Sequence, residues 1–422
     1  MTRSLAALLL LSGCIYDSHV ATSGDDAAVP LADAGVDPSP SSVVLAVVAA
    51  DLDGDGRDDL AVLELVAERA QPRVLPRLRL VYGRARLPAE LDDGFDLALV
   101  GTPFDSRTSR DGVSVPVYVE GSLAAGDLDA DGVSDLAVAL AFEGDGVVHL
   151  LRGDPGRGAP SALDALPALR AEGEGSFGAR VRVLGDLDGD GAEELSIEDR
   201  TGSVAWIRWS GGALADARLA PQLDLSGAAL FGLGDVDGDG HDDVGVADAG
   251  RLAIHAGPIA APLVLPLEGP PMAEVTDALA GLTPRHANAH RVGLGRALTV
   301  LWPQLGAPDQ LRAYRLQPLE PTPRETARFD TASRVCVTGA RGADVLLGCA
   351  DAACVDPEVC QGRVHLLSAS DLTVHDAWIG SSRGERLGGV VALGDLEGDG
   401  AVDAVFAGTT GPVRLVSGAA LP

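Results

Sequence analysis

Asp51-Leu52-Asp53-Gly54-Asp55-Gly56-Arg57-Asp58-Asp59 decides the reading, because the chain writes this loop five times. The other copies are Asp127-Leu-Asp129-Ala-Asp131-Gly-Val133-Ser-Asp135, Asp186-Leu-Asp188-Gly-Asp190-Gly-Ala192-Glu-Glu194, Asp235-Val-Asp237-Gly-Asp239-Gly-His241-Asp-Asp243 and Asp395-Leu-Glu397-Gly-Asp399-Gly-Ala401-Val-Asp403. Acids at positions 1, 3 and 5 converge on one point. Position 6 is always glycine, where the chain turns sharply. Position 7 offers only its carbonyl, so its side chain varies freely: Arg57, Val133, Ala192, His241, Ala401. Position 9 is always acidic and closes the shell. A hard cation taking roughly six to eight oxygens at about 2.3–2.6 Å suits this spacing, and calcium suits it better than magnesium, whose octahedron is tighter.

An EF-hand would need a glutamate at position 12 and a helix on each side. Position 12 is Val62, Val138, Ile197, Val246 or Phe406, none of which can ligate. Short apolar runs precede the loops, as in Val43 to Val48 and Val181 to Leu184. Similar runs follow them, as in Leu60 to Val62 and Leu136 to Leu140. These are strand patterns, so each loop joins two strands. Tandem dockerin-type loops fail as well, since they lie closer together and lead into helices. A third strand follows in each unit, usually after glycine: Gly146 to Leu150, Gly202 to Trp206, Gly250 to Ile254, Gly411 to Leu415, and Arg77 to Leu80 in the first. The 160 residues between Asp235 and Asp395 leave room for two units without the loop. One runs through Val292 to Gly295, Leu298 to Trp302 and Leu311 to Leu316. The other runs through Val335 to Val337, Asp344 to Leu347 and Gly362 to Leu366. The chain is therefore expected to be all-β, with seven units.

Several units carry an apolar-Gly pair or its remnant before the loop: Phe177-Gly178, Leu387-Gly388 and Gly227. With Gly185-Asp186 and Gly394-Asp395 at loop starts, the unit resembles the FG-GAP (VCBS-type) repeat of integrin α-subunits and many bacterial exported proteins. The resemblance covers residues 43–422, and its FG half is absent from the first two units. It implies a seven-bladed β-propeller with four strands per blade and calcium in loops between the first two strands of a blade.

The formal charge of -30 excludes a basic nucleic-acid footprint. Of the 62 acids, 23 sit in the five loops, which points to bound cations instead of a solvated tail. Two like charges 4 Å apart repel by up to about 4 kcal/mol at an effective dielectric near 20, so an ion-free loop is expected to open. The ions read as structural staples; the alternative is an ion that bridges to a ligand.

Arg3 and the short apolar run Leu5 to Leu11 form a signal peptide over residues 1–13, ending in Leu11-Ser12-Gly13-Cys14. That ending resembles the bacterial lipobox, whose cysteine becomes the lipid-bearing first residue; the alternative is an ordinary secretory signal. Residues 14–42 read as the lipidated Cys14 and a flexible tether, and residues 43–422 as the body. The expected place is the bacterial cell envelope, at the outer membrane or cell surface, with the lipid as the only membrane contact. Of the remaining cysteines, Cys354 with Cys360 and Cys336 with Cys349 is the favoured pairing, against a four-cysteine zinc site that lacks CxxC knuckles.

Gly380-Ser381-Ser382-Arg383-Gly384 matches G-x-S-x-G but precedes a strand and loop, so it reads as chance. His286 and His290 lack the glutamate of a zincin and read as loop histidines. Arg152-Gly153-Asp154 reads as a turn before it reads as an adhesion tripeptide. Glu64, Glu120 and Glu143 stand outside the loops with no evident partner acid. The expected function is a monomeric calcium-binding module that holds a protein or glycan by adhesion, and not an enzyme. The alternatives are a carbohydrate-active propeller enzyme, which needs paired carboxylates outside the loops near the central channel, and an envelope scaffold without a small ligand.

Overall fold

The computed structural model describes residues 42–420 apart from short stretches between strands, the longest being 277–287 and 351–360. The signal peptide, Cys14 and the tether lie outside the described residues.

Seven antiparallel sheets make a seven-bladed β-propeller. Blade 1 begins with Ser42–Ala50, pairs it with Asp59–Ala67 and then Arg73–Val81, and adds Leu97–Val100. Blades 2, 3 and 4 begin at Val119–Gly126, Arg180–Gly185 and Ala229–Gly234. Blades 5, 6 and 7 begin at Asn288–Val292, Cys336–Arg341 and Val390–Gly394. These seven first strands stand side by side in a closed ring, the first against the last. Each repeated loop joins the first and second strands of its blade, as the repeat pattern implied.

The packing explains the sequence pattern. A second strand such as Asp59–Ala67 is buried along almost its whole length because neighbouring blades cover both its faces. Alternate residues then feed different interfaces. Leu63 joins Leu136 and Val138 between blades 1 and 2, whereas Leu60 and Val62 join Val405 between blades 7 and 1. Seven apolar clusters result among the described residues, one per blade interface. A fully buried leucine contributes roughly 1.5–3 kcal/mol, so this layer outweighs any single polar contact. The Phe177-Gly178 signal also has a cause. Phe177 is 1 % exposed and packs edge-on against Trp206 with centroids 5.0 Å apart, while Gly178 takes φ +82° to turn into the first strand.

Three details differ from the sequence reading. The first strand of blade 5 is Asn288–Val292, so it ends where the sequence reading began it. His290 is therefore a strand residue, not a loop histidine. Short lent strands also went unread. Glu90–Leu91, from the connection after the third strand of blade 1, pairs with Val413 and Arg414 to complete blade 7. Ala217–Leu219 of blade 3 adds a parallel fifth strand to blade 2. Cys336 is bonded to Cys349, which removes the four-cysteine zinc alternative; Cys354 and Cys360 lie outside the described residues.

Candidate functional site

The loops come first because the sequence named them. In loop 1 the Asp51 carboxylate accepts from the backbone N–H groups of Gly54, Asp55 and Gly56 at 2.8, 3.2 and 2.9 Å. Position 5 accepts from the N–H of position 7 in every loop: Arg57, Val133, Ala192, His241 and Ala401, at 2.8–2.9 Å. The position 9 acids Asp59, Asp135, Glu194, Asp243 and Asp403 are all 0 % exposed. Their oxygens do more than close a shell. Asp59 accepts from Leu52 N–H at 2.8 Å and from Gly83 N–H, beyond the third strand, at 2.7 Å. Asp135, Asp243 and Asp403 repeat this double latch. Burial pushes the Asp59 carboxyl up to about 7 and the Asp135 carboxyl up to about 6, with neighbouring loop acids adding to the rise.

Position 8, unassigned by the sequence reading, couples neighbouring blades. Asp58 accepts from Asp395 N–H at 2.7 Å, Glu193 from Asp127 N–H at 2.8 Å, and Asp242 from Asp186 N–H at 2.9 Å. The glycine before position 1 makes room for this carboxylate: a Cβ on Gly185 would stand 2.3 Å from Asp242 Oδ2.

The donor sets fit a hard cation in four loops. Ligand oxygens of Asp51, Asp53 and Asp59 lie within 4.8 Å of one another, as do those of Asp127, Asp129 and Asp135, of Asp186, Asp188 and Glu194, and of Asp235, Asp237 and Asp239. Asp129 Oδ1 is buried with no hydrogen-bond partner, as an oxygen kept for an ion would be. Its other oxygen meets Arg152, whose guanidinium also holds Asp131, at 2.9 and 2.7 Å. The arginine of the RGD tripeptide is thus engaged by the loop, and Asp154 lies outside the described residues. The fifth loop, with Asp395, Glu397, Asp399 and Asp403, forms no such group among the described residues.

A second constellation was missed by sequence. Arg182, Phe231, His290 and Thr338 are each the third residue of the first strand of consecutive blades, 3 to 6. The Arg182 guanidinium stands 5.0 Å from the Phe231 ring centroid, and His290 Nε2 is 3.1 Å from Thr338 Oγ1. The charge of Arg182 reaches past blade 4 to His290, and burial chiefly, with that charge, lowers the imidazole to about 4. His290 is neutral at pH 7. Behind Arg182 lies Glu198, 1 % exposed, which ion-pairs with both Arg182 and Arg180, the latter at 3.4 Å. Glu120, the second residue of the first strand of blade 2, is 5 % exposed. Such placement gives a neutral base beside a hydroxyl, two cations and an aromatic face.

Other candidates fall elsewhere. Glu64 is not partnerless: Arg77 and Arg79 clamp it at the blade 7–1 interface, Arg79 at 2.7 Å. Ser381 donates to Glu385 at 3.0 Å with no α-helix after it among the described residues; Ser382, Glu143 and His286 lie outside them. A cavity of about 740 Å³, lined by His149, Asp164, Arg170, Asp216 and Arg218, opens at the outer edge of blade 2 beside the lent strand. No described helix is long and apolar enough to cross a membrane.

No family model matches the chain. Among solved structures, the chain is similar to the periplasmic gluconolactonase of Pseudomonas aeruginosa, with TM-score 0.40, 13 % identity, and coverage of 90 % of this chain and 99 % of that one. It is also similar to a candidate 6-phosphogluconolactonase of Bacteroides fragilis, with TM-score 0.37, 11 % identity, and coverage of 82 % and 97 %. Both are named as lactonases. Among the acids beyond the loops, Glu120 is buried on the first strand of blade 2 and Glu198 on the second strand of blade 3. The expectation of an adhesion or interaction module is corrected on these findings.

Proposed function

We propose that the protein is a carbohydrate-active hydrolase that opens sugar-derived esters, lactones among them, at the belt of Arg182, Phe231, His290 and Thr338. The observation that carries this reading is the neutral His290 held 3.1 Å from a hydroxyl, with a cation reaching it from blade 3. Ester hydrolysis needs a proton acceptor, which neutral His290 supplies. It also needs positive charge where the carbonyl oxygen becomes an anion, which Arg182 supplies while Glu198 holds its guanidinium in place. Phe231, buried between blades 4 and 5, backs the Arg182 guanidinium with its ring. Thr338 fixes the imidazole by its hydrogen bond.

The rest of the reading is supported by sequence chemistry. The loops hold calcium as FG-GAP-type staples, on the strength of their spacing and the four convergent oxygen sets. Cys14 carries the lipid that tethers the propeller in the bacterial envelope, on the strength of Leu11-Ser12-Gly13-Cys14.

The test is hydrolysis of glucono-δ-lactone, 6-phosphogluconolactone and a neutral sugar acetate, followed by proton release with calcium present. Wild type is expected to exceed the buffer rate, and His290→Gln to lose about 10²-fold or more. Equal rates for wild type and His290→Gln, in two samples with the same thermal midpoint, would remove the belt as the site.

A further inference from the structure

We propose that the fifth loop, Asp395–Asp403, is the latch that closes the ring and not a calcium site, so that four of the five loops bind the ion. This rests on the calcium reading of the other loops.

Position 3 is aspartate in loops 1 to 4 and glutamate only in loop 5. The extra methylene carries the Glu397 carboxylate out of the loop. Its Oε1 accepts from Leu87 N–H at 3.2 Å, and its Oε2 accepts from Ser417 Oγ at 2.5 Å. Leu87 leads into Glu90–Leu91, the strand that completes blade 7. The same segment is held twice more. Arg84 N–H donates to Leu396 O at 2.9 Å, and Leu415 N–H donates to Ala89 O at 2.9 Å.

Positions 1 and 9 do not set this loop apart. Asp403 accepts from the N–H groups of Leu396, Glu397 and Gly418 at 2.8, 3.1 and 2.7 Å, and Asp395 from Asp399 and Gly400 N–H at 3.0 Å each, as the same positions do in the other loops. The difference lies at position 3, where the Glu397 carboxylate is turned away from Asp395 and Asp403. Loops 1 to 4 bring three acids to one point and loop 5 does not. A calcium ion would have to take Glu397 back from Leu87 and Ser417, and so release the segment that closes the ring.

The test counts calcium per chain by native mass spectrometry, and follows amide hydrogen exchange at residues 87–91. Wild type is expected to hold four ions. Glu397→Asp, too short to reach Leu87, is expected to hold five and to exchange about tenfold faster at 87–91, the effect of losing one hydrogen bond of roughly 1–1.5 kcal/mol. Ser417→Ala, which leaves every loop acid in place, is expected to speed exchange there while the count stays at four. Five ions on wild type, or unchanged exchange in both variants, overturns the latch. A wild type that binds no calcium defeats the calcium reading and the count together, while Ser417→Ala exchange in chelator still judges the closure contact.

Discussion

The loop rim and the axial belt solve opposite problems with charge. At the rim, acids are gathered with few cations nearby, and position 9 carboxylates are buried behind backbone N–H groups. At the belt, the buried acid Glu198 is set between two arginines beside a neutral histidine. The rim sets many acids against few cations, Arg57 and Arg152 among them, while the belt pairs its acid with its own arginines. Like charges held together are strain that a bound cation relieves, whereas opposite charges held together are rigidity that a substrate can use.

Removing calcium is the strongest way to separate the two. A site filled at about a hundred times its Kd stabilises by roughly 2.7 kcal/mol. Four such loops predict a thermal midpoint lower by roughly 10 °C or more in chelator. A scan with calcium, magnesium and chelator checks this, and magnesium is expected to restore little. A midpoint indifferent to chelator would mean that the rim carries its charge without an ion.

Next in size is the belt. Glu198→Ala leaves Arg180 and Arg182 buried without their carboxylate, and is expected to cost about 3–5 kcal/mol in urea unfolding. That loss should be the same with calcium and with chelator. A loss that appears in only one of the two would mean that rim and belt are one coupled system.

Acid gives a smaller and oppositely placed effect. His290 and His365 are both lowered to about 4, chiefly by burial, from an ordinary 6.5. The unfolded chain takes up their protons before the folded one does. Their contribution is therefore complete above pH 6.5 and is lost as pH falls toward 4. The loop acids Asp59 and Asp135, raised by burial, act in the opposite direction but are present in both proteins, so the comparison reads the histidine: in urea midpoints at pH 7, 5.5 and 4.5, wild type should lose ground to His290→Gln as pH falls. An equal fall in both would return His290 to an ordinary environment.

The smallest effect is expected at Arg152, where rim chemistry borrows a cation from the chain. The pair is exposed and screened by solvent, so Arg152→Ala should tighten calcium at loop 2 by no more than about fivefold and leave the midpoint in chelator nearly unchanged. Calcium titration of the two proteins reads this directly, and weaker binding in the variant would make Arg152 a support of the loop and not a competitor.

The rim was legible in sequence because repetition makes spacing visible: each copy of the loop testifies to the others, and the seven units followed from it. What escaped was whatever occurs once. Glu90–Leu91 and Ala217–Leu219 are too short for an alternation to register, and they pair with blades other than their own. The belt residues come from four units and meet only when the ring is formed. One local trace was available: Arg180-Val181-Arg182-Val183 alternates charge with apolar residues on a strand that is apolar in blades 4 and 7. His290 was set aside because the degenerate fifth unit hid its first strand. Position 8 looked like loop filler because its partner belongs to the neighbouring blade.

The pairing of Leu91 with Val413 has a consequence for how the molecule is made. A ribosome delivers the first blade long before the last, so the residues that finish the circle must wait, exposed and unpaired, for almost the whole of synthesis. Contacts so distant in sequence slow folding, because the chain gives up freedom before they form. No truncation from the C-terminal side leaves a smaller complete propeller; it leaves an open arc with a bare sheet edge. Nicking the chain between Leu91 and Leu97, by contrast, would leave the first three strands of blade 1 joined to their gift to blade 7 and part them from the fourth strand, Leu97–Val100, which stays held by its pairing with Arg77–Leu80; that makes the stretch a natural seam for a rearranged chain with new ends.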